Sequence, residues 1–312
     1  MPGRPPEHAP AGPARTNGGH SGGVMDIFIY GIFNSISLAL MALGFALVYG
    51  ISRVPNFAHG ALYVVTGFLT WGFLRTLHLN YFLSILLAML ITGIVGALIY
   101  QLILVRVRGM AISEIIASYA MGLAIIEGFR WWGFKGMTYT LPVFVEGSVT
   151  IAGIPIDWQR ILVVAVGGAV VGFLWLFTHY TKVGLALRGM AQDERASLML
   201  GIDSDRMAVV AMSFGAMLAG LAAIMLLPLG NIVVEKGYDV LILAIAVCIV
   251  GGLGSWMGAV VASFLIGFAQ IFTVVYLGAH FQMVVALLAI IITLILRPSG
   301  LFGRQKELEE RV

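Results

Sequence analysis

The sequence predicts an all-α fold, a polytopic membrane helical bundle of about eight or nine transmembrane helices, and three observations carry that expectation. Of the 312 residues, 60% are hydrophobic and 11% charged, against about 45–50% and about 25% in soluble domains. Apolar runs long enough to cross a bilayer recur along the chain, and the basic residues gather mostly in the short breaks between them, as membrane proteins arrange them. A soluble fold of this size could not bury so much apolar surface, whereas lipid can cover the outward faces.

The elements follow in chain order. Residues 1–24 are rich in Pro and Gly with almost no bulky apolar side chains, the composition of a disordered tail. They hold no apolar h-region and so are not a secretory signal. Met25, or the codon just before it, is the expected true start, which would make the tail dispensable or a misassigned start. The membrane domain expected over 25–304 holds apolar runs at 27–52, 60–77, 81–104, 111–132, 159–180, 207–229, 237–253, 258–277 and 280–296. About 20 apolar residues span the hydrocarbon core as helix, and barrel strands would be shorter and alternate polar with apolar. The stretch Arg53-Val54-Pro55-Asn56 reads either as a cytoplasmic turn or as a break inside the membrane. Residues 305–312 form a polar C-terminal tail on the cytoplasmic side.

Loop charge sets the orientation. Arg106, Arg108, Lys182, Arg188, Arg195, Arg206, Arg297, Arg304, Lys306 and Arg311 fall on one side, joined by Arg53 if it lies in a loop. Arg75, Arg130, Lys135, Arg160 and Lys236 fall on the other, so the first side is cytoplasmic. The N-terminus is then outside and the C-terminus inside after nine spans; one re-entrant segment reduces the count to eight. Three connections exceed a simple turn: the outer loop 133–158, the polar cytoplasmic loop 181–206, and the glycine hinge of 251–258, with Gly251, Gly252, Gly254 and Gly258.

Chemistry-bearing constellations are missing. A lone Cys248 excludes an internal disulfide framework and a Cys-rich metal site. The four lysines lack the GxxxxGK[ST] context of a phosphate loop, and neither HExxH nor GxSxG occurs. No catalytic residue, metal site or cofactor is therefore expected, and a net charge of +3 with its bases in loops does not suit nucleic acid. Glu114, Glu127, His59 and His179 fall in or beside spans, where local pairing and snorkelling account for them. No chain of acids and bases crosses the bilayer, which disfavours a proton-driven carrier. Small-residue pairs such as Gly93 with Ala97 and Ala216 with Gly220 mark close helix packing.

Leu47-Val48-Tyr49-Gly50 followed by Asn56-Phe57-Ala58-His59-Gly60 resembles the signature of branched-chain amino-acid ABC transporter permeases. Ile112-Ser113-Glu114-Ile115-Ile116-Ala117-Ser118 is similar to the start of that family's fourth span, and 184–203 to its cytoplasmic loop. Gly251-Gly252-Leu253-Gly254-Ser255 with Gly258-Ala259 resembles its late glycine hinge, and Arg297-Pro298-Ser299-Gly300-Leu301-Phe302-Gly303 its C-terminal end. The similarity runs from about 25 to 304 and fits the shorter permease of the usual pair.

The resemblance implies a transporter of two different permeases, two cytoplasmic ATP-binding subunits and a periplasmic substrate-binding protein in a bacterial inner membrane. ATP would then be hydrolysed on partners, which agrees with the missing phosphate loop. The loop would dock on the ATPase through Gly184, Arg188, Ala191, Asp193, Glu194, Arg195 and Gly201, the last ending a short helix. It reads Ala191-Gln192-Asp193-Glu194-Arg195 where the family often has a lysine and a further acid. Asn34, Ser35, Ser37, Asn56, Phe57, His59 and Gly60 would line the translocation path, a broken helix offering backbone groups to a zwitterion. A urea or short-amide permease of the same family shares these motifs. A stand-alone secondary carrier or channel is the alternative of another class.

Overall fold

The computed structural model describes residues 21–53, 55–132, 139–151 and 153–303. Lys135 and the whole of 305–312 lie outside the described residues, as do Arg304 and all but the last four positions of the 1–24 tail.

Nine main helices follow the nine apolar runs: α1 (Ser21–Ser52), α2 (His59–Arg75), α3 (Tyr81–Leu102), α4 (Ala111–Trp131), α5 (Trp158–Tyr180), α8 (Ser204–Leu226), α9 (Lys236–Gly251), α10 (Trp256–Tyr276) and α11 (Gln282–Leu296). Between α5 and α8 lie two short polar helices, α6 (Lys182–Gln192) and α7 (Glu194–Met199). Helix α1 reaches back to Ser21, so residues 21–24, read with the tail, are helical. Polar caps fix several helix starts: Asn80 accepts from Phe82 N before α3, Asp203 from Arg206 N before α8, and Ser255 from Gly258 N before α10.

The all-α expectation needs one addition. In the outer loop, β1 (Ser148–Ile151) pairs antiparallel with β2 (Ile154–Asp157), Val149 facing Ile156. Gly153, at φ +83°, supplies the left-handed residue of its tight turn.

Seven helical segments among the described residues are long and apolar enough to cross a membrane: Gly23–Ser52, Tyr81–Val107, Ala111–Trp131, Trp158–Tyr180, Ser204–Leu229, Trp256–Tyr276 and Ala279–Leu296. The chain is thus a multi-pass membrane protein. Helices α2 and α9 are 17 and 16 residues long, about 24–26 Å at 1.5 Å per residue, short of a hydrocarbon core of about 30 Å. The count of eight or nine spans therefore narrows to seven clear ones plus two short helices. Both short helices are largely buried, whereas α11 buries only Ala286.

Helix α1 is the axis of the bundle and packs against α5, α8, α9 and α10. Leu40, Leu43 and Phe45 are among the largest fully buried side chains. Tertiary contacts gather the basic loops at one end. The Arg53 guanidinium donates to Ala191 O (3.3 Å), Arg108 pairs with Glu194 (2.7 Å), and Gly50 abuts Gly254. At the opposite end Tyr81 donates to Pro142 O (2.9 Å) and Gln159 to Met225 O (3.0 Å).

Candidate functional site

The break between α1 and α2 begins at the basic end and turns inward. Arg53 takes φ +58°, a conformation costly for a residue with a Cβ. Phe57 N then donates to Ser118 Oγ (3.2 Å), two turns inside α4. His59 Nε2 lies 2.9 Å from Met41 O. Met41 is eleven residues before Ser52, or about 16 Å along α1, so α2 starts well inside the bundle. Of the two expectations for 53–56, the break within the membrane region describes the inward part and the turn only its beginning. Asn56 Oδ1 accepts from Ala58 N (3.0 Å), serving amides at the start of α2 that would otherwise lack partners. Asn56 and His59 are both buried.

Helix α9 opens on exposed residues, Glu235 and Lys236, but follows a buried segment. The segment before it buries Ile232 and Val234, and Ile232 N donates to Tyr139 O at 2.7 Å. The two short helices meet near their N-terminal ends at Gly60 and Gly237. A Cβ on Gly237 would lie 3.0 Å from Gly60 O, and one on Gly60 would collide with the Gly237 carbonyl. Two positive helix ends are thereby brought together, with the exposed ion pairs of Glu235 and Lys236 beside the start of α9.

Two voids of about 10 Å³ flank the break, one beside Asn56, Glu114 and Ser118, the other beside Phe57, Tyr119 and Gly237. Each has room for about one water molecule, so the region is packed shut in this conformation. The remaining path candidates lie elsewhere on α1. Asn34 donates to Gly267 O (3.1 Å) and Gln270 Oε1 (3.0 Å), and the Ser35 and Ser37 hydroxyls donate to Gly31 O (2.7 Å) and Phe33 O (2.8 Å). Asn34 and Ser35 thus hold α1 on α10, and the structure does not bring them to the Asn56–Gly60 break.

The loop 181–206 is a folded unit. Thr181 Oγ1 caps α6 by accepting from Gly184 N (2.9 Å), and a Cβ on Gly184 would collide with Phe177 O, which makes the α5–α6 corner a glycine position. Asp193 caps α7 through Ala196 N (2.9 Å). Glu194 accepts from Arg108 (2.7 Å) and from the Ser204 hydroxyl (2.8 Å), while Asp205 pairs with Arg108 and accepts from Tyr100 (3.0 Å). The acids expected to face a partner are therefore engaged within the chain, and Arg188 and Arg195 form no ion pair among the described residues. Leu198, Met199 and Leu200 are exposed at the tip. Gly201, at φ +80°, ends the segment, with Ile202 N bonded to Ser197 O (3.1 Å) in a Schellman-like stop.

The glycines expected to form a hinge are held in contact. The backbones of Gly251 and Gly258 touch, so that a Cβ on either would collide with the other residue. Gly252 takes φ +102° beneath Gly303. Leu301 N and Phe302 N donate to Val250 O and Gly251 O, both at 2.9 Å, and so satisfy carbonyls at the end of α9. The α9–α10 connection is accordingly a clamped corner. Beside it, a cavity of about 450 Å³ opens at the basic end, lined by Gly50, Thr178, Arg188, Ser255 and Phe302 among others.

At the opposite end Arg130 joins Glu127 (2.5 Å) and Glu235 (2.9 Å). Its own backbone amide first, and Arg130 second, hold the Glu235 carboxyl below the usual carboxylate range. Sequence reasoning placed Arg108 in a loop but assigned it no role, and it passed over Gly237. Their partners lie 97 and 177 positions away, at Asp205 and Gly60, and no local signal marks such pairs.

Comparison with known proteins agrees with this architecture. The sequence pattern of the family described as branched-chain amino acid transport system / permease component matches residues 27–296. The high-affinity branched-chain amino acid transport system permease protein BraD of Pseudomonas aeruginosa is 29% identical over 290 residues, covering 88% of this chain and 94% of that one. LivH of Escherichia coli, a permease of the same description, is 25% identical, with 89% and 96% covered. A probable branched-chain amino acid transport permease LivH of Methanocaldococcus jannaschii is 27% identical, with 87% and 90% covered. Among solved structures, PsaBC of Streptococcus pneumoniae in complex with Fab aligns at a TM-score of 0.51 and 12% identity, covering 94% of this chain and 99% of that one, a likeness of fold alone. With the family pattern spanning nearly all of the described helices, this chain belongs to the branched-chain amino acid transport system permease family.

Proposed function

We propose that this chain is a permease subunit of an ATP-driven importer and forms the translocation path for branched-chain amino acids. The family match along 27–296 carries the proposal, and the names of the relatives supply the substrate class. Its partners are a second permease, two cytoplasmic ATP-binding subunits and a periplasmic binding protein, assembled in a bacterial inner membrane. The basic end faces the cytoplasm, and α2 and α9 complete a topology with the N-terminus outside and the C-terminus inside. The α6–α7 unit docks on the ATPase through Arg188, Arg195 and the exposed Leu198–Leu200 tip.

The path runs by the break at Asn56–Gly60. The paired starts of α2 and α9 favour a carboxylate, and Glu114, buried beside Asn56, is the one carboxyl among the described residues lining the void next to the break. Opening requires the α2–α9 contact to separate, because the region is packed here. Asn56→Ala and His59→Ala each remove a hydrogen bond that shapes the break. Each is expected to lower uptake by about tenfold, equivalent to about 1.4 kcal/mol, in a complex that still assembles. Unchanged uptake by both variants would place the path elsewhere.

A further inference from the structure

Helix α5 is fastened to α8 at two levels and parts from it between them. At the outer end Gln159, buried, donates to Met225 O at 3.0 Å. Towards the basic end the rings of Phe177 and Phe214 stack with centroids 5.1 Å apart and planes within 7°. Between these fastenings α5, α8 and α3 leave a cleft of about 360 Å³, lined by Met89, Val166, Ala169, Val170, Met217 and Leu221 among others. Every lining side chain is hydrocarbon or thioether, and the cleft lies in the middle of three helices long and apolar enough to cross the membrane.

That chemistry restricts the occupant. Water needs polar partners, and an apolar void of this kind excludes it. An amino acid or peptide would lose the hydrogen bonds of its charged and amide groups on entering. An empty cleft would forfeit dispersion contacts along its walls. The surrounding bilayer supplies hydrocarbon chains at high local concentration.

We propose that the α3–α5–α8 cleft binds an acyl chain of a membrane phospholipid. The chain braces the middle of α5, whose end passes through Thr181 directly into α6, so the lipid helps set the position of the α6–α7 unit. The binding site rests on the membrane location and the cleft, independently of the transported substrate.

The test places the full chain, in its complex, in phosphatidylcholine vesicles containing a phosphatidylcholine with a diazirine on its acyl chain. After detergent extraction and washing, the sample is irradiated and the labelled residues are mapped by mass spectrometry. Label is expected on Met89, Val166 and Met217 at about tenfold or more above Leu288 on the exposed face of α11, a ratio corresponding to about 1.4 kcal/mol of preferential retention. Ala169→Phe and Val166→Trp, which fill the cleft, should each remove that excess. Label at the cleft no stronger than at Leu288, or undiminished in both variants, overturns the proposal. So does cross-linking of Ala169→Cys to another subunit in the complex, because protein would then cover the cleft. The comparison with Leu288 needs no substitution and holds even if a filled variant fails to fold.

Discussion

Gly60→Ala is expected to lower the melting temperature by roughly 5–10 °C and to abolish uptake, whereas Gly72→Ala in the same helix should be neutral or stabilising. The two positions differ in what a methyl group meets. At Gly60 it collides with the Gly237 carbonyl and also approaches Leu241 Cβ at 3.1 Å, while at Gly72 nothing lies within 4 Å. Overpacking against atoms that rotate away costs about 1–3 kcal/mol. Here the obstacle is backbone, so α2 and α9 must separate, and a cost of about 3 kcal/mol corresponds to the stated shift in a chain of this size. At Gly72 only helix propensity acts, and alanine gains about 0.5–1 kcal/mol over glycine in a helix interior. Thermal unfolding in detergent, with uptake measured in parallel, checks both. Equal behaviour of the two variants would mean that the meeting of α2 and α9 does not control stability.

Gly252→Ala should be comparably damaging through two causes that a control can separate. Its φ of +102° lies where side chains carrying a Cβ are strained, at a cost on the order of 1–3 kcal/mol. The added methyl also collides with Gly303 N, pushing the C-terminal segment off α9 and releasing the bonds from Leu301 and Phe302. Gly109 has φ +84° with nothing within 4 Å, so Gly109→Ala suffers the backbone strain alone. The expected order of melting temperatures is unsubstituted protein, then Gly109→Ala, then Gly252→Ala. If the two variants melt together, the tail contributes nothing to the corner.

Uninterrupted apolar runs reveal their helices because nothing in them competes with the 1.5 Å rise through hydrocarbon. The nine expected runs accordingly coincide with nine helices, most ends agreeing within three residues. What a run does not reveal is where its helix begins in depth. The runs at 60–77 and 237–253 look like ordinary crossings, yet both helices start against backbone from distant parts of the chain. Glycine was informative about position, and in this conformation the glycines expected as a hinge over 251–258 meet close neighbours: Gly258 at Gly251, Gly303 at Gly252 and Gly50 at Gly254.

The polar candidates divide in the same way. Asn56 and His59 are legible because Pro55 and the short polar stretch interrupt an apolar run, and the structure keeps them together. Asn34 and Ser35 bond to α10 rather than meeting the break, since a polar side chain within a span satisfies a neighbouring helix as readily as a substrate. In the loop 181–206 the charges were visible but their partners were not. Arg108 takes Glu194 and Asp205, whereas Arg188 and Arg195 form no ion pair among the described residues.

The most direct measurement of the central claim is uptake into proteoliposomes containing this chain, alone and with its second permease, ATP-binding subunits and binding protein. Radiolabelled leucine should accumulate only in the full assembly and only with ATP. An imposed proton or sodium gradient should not replace the nucleotide. Accumulation of leucine by this chain alone, driven by an ion gradient, would contradict the account and make the chain a carrier in its own right.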